Sequence, residues 1–186
     1  MFLPLKISLL TALLLLAACR SDPIQFHTLM PAHLSGNSRS GAADIQIVGI
    51  SVPPQVDRPQ IVIRQGNSGL AILETQWWAA SLVDELRSAL VGQLTNSTPS
   101  RKFSVRLDVQ RFDSIPDQYA LLDVKWRLRT TGDNDYSLMT CRTTLRSPAG
   151  PTIDDLVMAH QNNVKRLAAI ISEASGRTST DCPLER

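Results

Sequence analysis

Cys19 is the residue of this chain with the clearest chemistry. It follows Leu16-Ala17-Ala18, and small residues leading into one cysteine form a lipobox. Lys6 supplies a positive start and Ile7 to Leu16 an apolar run of about ten residues, the pattern of a bacterial secretory leader. That run is too short to span a bilayer, which takes about 20 apolar residues. Small side chains let a peptidase reach the backbone. The thiol beside the cut can then accept a diacylglycerol before the new amino terminus is acylated, with palmitate as the expected chain. Residues 1–18 are therefore expected to leave as a signal peptide, with Cys19 becoming the lipidated first residue. Arg20 stands where Asp would retain the product at the inner membrane, so the expected address is the periplasmic face of the outer membrane.

The two other cysteines, Cys141 and Cys182, would share that oxidising compartment. A disulfide is the simplest account of them. Two buried thiols are the alternative, because spacing alone cannot show that their Cα atoms come within about 7 Å. Neither has neighbours at metal-ligand spacing, so no zinc site is expected.

Catalytic constellations are poorly supplied. His27 and His33 fall in the leading tether, and His160 falls on the apolar stripe of a helix, where core packing is expected. No serine has a nucleophile-elbow setting. Asp154-Asp155 is a carboxylate pair, yet its place at a helix start reads as dipole complementation. Asp133-Asn134-Asp135 lacks the glycine and distal Glu of a calcium loop and reads as a hairpin turn. Asn96-Ser97-Thr98 matches a glycosylation acceptor that a bacterial leader makes irrelevant. No enzyme activity, cofactor or metal is expected.

Binding candidates are better supplied. Lys125, Arg127 and Arg129 recur every second residue and so share one face of a strand, which Arg106 and Arg142 would extend. That row is either a solvated face or a basic surface for acidic residues of a partner or for lipid headgroups. Arg58 lies between Asp57 and Pro59, where it could clamp a partner carboxylate or rigidify its own turn through Asp57. Trp77 and Trp78 precede a helix; core packing and interface anchoring are both open, and Trp78 is carried forward as a candidate contact. Across 186 residues the net charge is +2, falling to +1 with the loss of Lys6, which disfavours nucleic acid.

The elements that must position these residues follow from periodicity. Residues 19–41 read as a lipidated tether carrying a short docked strand near 24–29, and 42–186 as one α/β domain. Asp44 to Val52 and Ile61-Val62-Ile63 read as short strands, with a brief one over Leu70 to Leu73. A helix starts near Trp78 or Ser81 and buries Leu82, Leu86, Leu90 and Leu94, with Asp84 placed like a capping-box partner of Ser81. Phe103-Val109, Ala120-Leu128 and Tyr136-Arg146 alternate as an antiparallel meander. Thr152 with Asp155 opens a long helix whose stripe runs through Leu156, His160, Val164, Leu167 and Ile171 to a stop at Gly176. The expected fold is a single-domain α/β sandwich with a mixed, largely antiparallel sheet and two main amphipathic helices.

Ile47-Val48-Gly49-Ile50-Ser51-Val52-Pro53, continuing through Val56-Asp57-Arg58-Pro59-Gln60-Ile61-Val62-Ile63-Arg64 and on to Trp78-Ala79, resembles the ABC-type transport auxiliary lipoproteins. Within these it is most similar to the PqiC-like lipoproteins of MCE-type lipid transport systems. Phe26-His27-Thr28-Leu29 and the helix segment with Val164 and Leu167-Ala168 support the resemblance. Phe26 departs from the family's tyrosine, and Ala80-Ser81 from its frequent Glu-Pro. The resemblance implies a non-enzymatic subunit under the outer membrane. Such a subunit docks an MCE-domain or other ABC transport partner, supports phospholipid trafficking and envelope integrity, and can form a homo-oligomeric ring. The alternative is a periplasmic lipid-binding or assembly-chaperone lipoprotein, with an acyl chain held in a cleft lined by Trp78, Leu86 and Leu167.

Overall fold

The computed structural model describes residues 22–32, 43–95, 101–130, 138–177 and 181–183. Cys19, His33, the Asn96-Ser97-Thr98 triplet and the Asp133-Asn134-Asp135 turn lie outside them. In chain order the elements are β1 (Gln25–His27), β2 (Ala43–Ser51), β3 (Gln60–Gln65), β4 (Gly69–Trp78), α1 (Leu82–Leu94), β5 (Arg101–Ile115), β6 (Tyr119–Thr130), β7 (Leu138–Pro148) and α2 (Ile153–Gly176).

The strands form two mixed sheets rather than the single sheet expected. β5, β6 and β7 run as an antiparallel meander, and β2 adds to β5 in parallel, giving the order β2-β5-β6-β7. The smaller sheet has the order β1-β4-β3, with β1 parallel and β3 antiparallel to β4. β4 is far longer than the expected Leu70–Leu73 because its second half pairs with β1, Phe26 lying opposite Trp77 and His27 opposite Trp78. That pairing keeps both tryptophans in the strand and moves the helix start to Leu82. Ser81 caps it, accepting from the Asp84 backbone N–H and donating its hydroxyl to the Asp84 carboxylate at 2.7 Å.

Burial alternates along β7, through Phe103–Val109 of β5 and through Val124–Arg129 of β6. Val105, Leu107, Val124, Trp126, Cys141 and Leu145 are buried on one face, with Arg106, Lys125, Arg127 and Arg142 exposed on the other. α1 packs over β2 and α2 over β6 and β7, and the helices touch each other. Leu82, Leu86 and Leu90 of α1 and Val164, Leu167 and Ile171 of α2 close one continuous core with those strand residues. Each such side chain contributes about 1.5–3 kcal/mol by leaving water.

Polar groups trapped at this interface are matched. The Trp126 indole donates to Thr143 Oγ1 at 3.0 Å. Asn163 of α2 accepts from Ser147 at 2.7 Å and donates to the Ala120 carbonyl at 3.0 Å, fixing the helix across two strands. Thr152 and Asp155 form the full capping box at the start of α2, and hydrogen bonds from Thr152 hold the Asp155 carboxyl below its usual pKa. Cys141 on β7 is disulfide-bonded to Cys182, with Cα atoms 5.7 Å apart, so the tail is tied to the last strand of the sheet. Among the described residues no helix is long and apolar enough to cross a membrane.

Candidate functional site: an open basic sheet face

The helices cover one face of the β2-β5-β6-β7 sheet, and the alternation that buries Trp126 turns Lys125, Arg127 and Arg129 to the other. Register then builds a patch from neighbouring strands. Arg106 of β5 stands directly opposite Arg127, Asp108 opposite Lys125, and Ser104 opposite Arg129. Two like charges in directly opposite positions repel. Relief comes from β2, where a bulge between Ile47 and Gly49 sets Gly49 beside Arg106. The Arg106 guanidinium lies over Gly49, where a β-carbon would stand 3.4 Å from its Cζ, in van der Waals contact. Arg106, Lys125, Arg127 and Arg129 have no ion-pair partner among the described residues, while Asp108 accepts a hydrogen bond from Ser51 at 2.8 Å.

Arg142, expected to lengthen this row, does not. Its guanidinium forks onto Asp123, with Nε donating at 2.9 Å and Nη2 at 2.6 Å, and Thr144 adds a third donor at 3.3 Å. The Arg142 hydrogen bonds hold the Asp123 carboxyl below its ordinary pKa against the opposing cost of burial. One strand over, Arg64 Nε and Arg111 both pair with the buried Asp113. These groups border a polar cleft of about 310 Å³, lined also by Gln55, Val62 and Gln110. Alternation in β5 and β6 does not signal that Asp113 and Asp123 are buried; a cross-strand diagonal and a contact from another sheet decide it.

Two other candidates take different places. Trp78 is 3% exposed and packs edge-on against Phe112, so it belongs to the core and cannot contact a partner. Its partner-binding role is withdrawn for that reason. Leu86 and Leu167, grouped with Trp78 as a lining for an acyl-chain cleft, are packed in the same core. Arg58 sits in the β2–β3 connection, half-buried, and makes no ion pair with Asp57. Its Nε is buried without a hydrogen-bond partner. The structure thus brings Lys125, Arg127 and Arg129 together with Arg106, and leaves Arg58 apart from them.

A buried Ser–His contact also proves structural. His160 Nε2 lies 2.9 Å from Ser114 Oγ, and the ring stacks on Phe112 with centroids 3.9 Å apart. Both residues are buried, Nδ1 has no partner, and burial pushes the imidazole pKa down to about 3. A nucleophile–base pair needs an orienting third group and access for substrate; this pair has neither. Among the described residues no group of three or more His, Cys, Asp or Glu could hold a metal ion.

The fold and the uncovered face together define an α/β domain with one side committed to its helices and one left to solvent. The chain belongs to the ABC-type transport auxiliary lipoprotein component family, whose model matches residues 27–172. Among solved structures it is similar to an uncharacterized protein, at TM-score 0.64 and 17% identity, covering 83% of this chain and 99% of that one. It is also similar to a DUF330-family protein from Xanthomonas campestris, at TM-score 0.59 and 14% identity, covering 82% and 93%. At these identities the likeness is one of fold. No curated protein sequence matches the chain.

Proposed function

We propose that the protein is a non-enzymatic lipoprotein, acylated at Cys19 and held at the periplasmic face of the outer membrane. There it docks an MCE-domain or related subunit of an ABC-type transporter and supports phospholipid traffic between the membranes. The observation that carries this reading is the open sheet face with four cations that make no ion pair among the described residues, in a chain of the auxiliary lipoprotein family. An exposed face on which register gathers four basic residues around Asp108 is complementary to an acidic surface, and complementary charge steers and registers a partner. The buried Ser–His pair offers no competing chemistry. Acyl-chain storage between helices and sheet is less favoured, because Trp78, Leu86 and Leu167 pack against one another's neighbours in the core.

The test is a triple reversal, Lys125→Glu, Arg127→Glu and Arg129→Glu, in the full-length protein in its own envelope, with a photocrosslinker placed at residue 106. Wild type should capture a transport subunit, and the triple variant should lose at least about tenfold in capture, on the order of 1.4 kcal/mol, with the difference shrinking at high salt. The melting temperature should stay unchanged, since these side chains contact no core. Undiminished capture by the triple variant removes this face from the docking site; crosslinks lacking any transport subunit remove the transport role.

A further inference from the structure

The amino-terminal segment is gripped far more firmly than a tether needs. Glu85 of α1, itself buried, accepts from Thr28 Oγ1 at 2.7 Å and from the Leu29 backbone N–H at 2.8 Å. Gln161 of α2 donates to the Thr28 carbonyl at 3.0 Å, and the Ala79 N–H donates to the His27 carbonyl at 2.8 Å. Leu29 is 1% exposed and belongs to the main core. Residues 27–29 are therefore part of the rigid domain, joined to both helices and to β4.

The outward face of this segment is apolar. Phe26 is 64% exposed and meets Trp77 edge-to-face with ring centroids 6.4 Å apart. The Trp77 indole N–H is already satisfied by the Glu74 carbonyl at 2.9 Å, so the ring turns no unpaired donor outward. Ile24, two residues before Phe26 and just ahead of β1, is exposed as well. A soluble domain gains nothing by holding a phenylalanine and an isoleucine in water beside a half-buried indole at an end braced this firmly.

We infer that this Ile24-Phe26-Trp77 ledge rests in the interfacial layer of the bilayer that receives the acyl chains, and sets the angle at which the domain stands on the membrane. The inference rests on acylation of Cys19 and deepens that reading. Ile24 is five steps along the chain from Cys19, and an extended chain covers at most about 3.6 Å per step, so Ile24 stands within about 18 Å of the anchor whatever path the link takes. Phe26 follows within about 7 Å more. Aromatic rings and aliphatic side chains held at that distance partition into the headgroup and upper acyl region. The acyl chains supply attachment, and the clamp at Thr28 and Leu29 transmits orientation from ledge to domain.

Tryptophan fluorescence tests this in the full-length protein, matured in cells and reconstituted into vesicles of phosphatidylethanolamine and phosphatidylglycerol carrying a fraction of phospholipid with brominated acyl chains. Trp78 and Trp126 are buried, so quenching by bromine should report Trp77. Wild type should float with the vesicles and be quenched; Trp77→Phe should float equally and lose that quenching. Phe26→Ser, an exposed change that leaves the clamp intact, should reduce quenching with an unchanged melting temperature. Flotation with mass-verified acyl chains but equal emission in plain and brominated vesicles would overturn the ledge and leave the anchor standing. Absence of acyl chains on Cys19 would overturn both.

Discussion

The two ends of the open sheet face carry the same kind of side chain in opposite circumstances. At one end Arg111 and Arg142, with Arg64 reaching over from β3, each have a carboxylate, supplied by Asp113 and Asp123, and Arg64, Arg111 and Asp113 line a polar cleft. At the other end Arg106, Lys125, Arg127 and Arg129 are grouped by register, with Asp108 already accepting from Ser51. Paired arginines fix a structure in place, and unpaired ones leave a field for something else to neutralise. The difference shows how a charge row becomes a surface: count alone does not decide it, and the cross-strand neighbour does.

The largest effect should come from beneath the braced end, where His160 stacks on Phe112 and bonds Ser114, the residues flanking Asp113. Its folded pKa is pushed down to about 3, whereas the unfolded side chain titrates near 6.5. Above pH 6.5 both states are neutral and stability does not change. Between that value and about 3 the unfolded chain takes up a proton that the folded core refuses, so stability falls by about 1.4 kcal/mol per pH unit. Urea unfolding at pH 7, 6 and 5 should show this slope, and His160→Gln should flatten it. Asp123 has a depressed pKa and adds its own loss only lower, as pH falls below the ordinary carboxylate range.

A smaller effect should follow from Asp123→Asn, which removes the fork that Arg142 grips. A cost of about 1–3 kcal/mol is expected from the lost charge-assisted bonds, read as a shift in urea midpoint with no change in slope. The same variant should extend the uncompensated row to Arg142 and increase the salt sensitivity of partner capture. The smallest effect belongs to the other end: Arg127→Gln should alter stability by no more than about 0.5 kcal/mol, with a gain conceivable only from relief of the Arg106 repulsion. A loss beyond about 1 kcal/mol would mean that these cations brace the fold after all.

Much of this was legible because two local signals agreed. Period-two alternation through Phe103–Val109 and Ala120–Leu128 identified the strands and put Lys125, Arg127 and Arg129 on one side. The Ser81–Asp84 and Thr152–Asp155 pairs marked both helix starts. The smaller sheet was hard to read because β1 is three residues long and gains its hydrogen bonds only by meeting the far half of β4. Trp78 was ambiguous for the same reason, since an aromatic before a helix can face either way until a neighbouring strand fixes its direction. Glu85 gave no sign of its role: within α1 it looks like an ordinary first-turn acid, yet it holds a segment more than 50 residues earlier.

Local order in this chain therefore determined the helix caps, the meander and the sidedness of its basic residues, since each depends on spacings of a few positions. Tertiary structure decided which arginines are neutralised, that Trp78 is core, that residues 27–29 are clamped, and that Cys182 reaches Cys141. Those outcomes depend on register and on contacts between distant segments, where a shift of one residue turns a side chain to the opposite face.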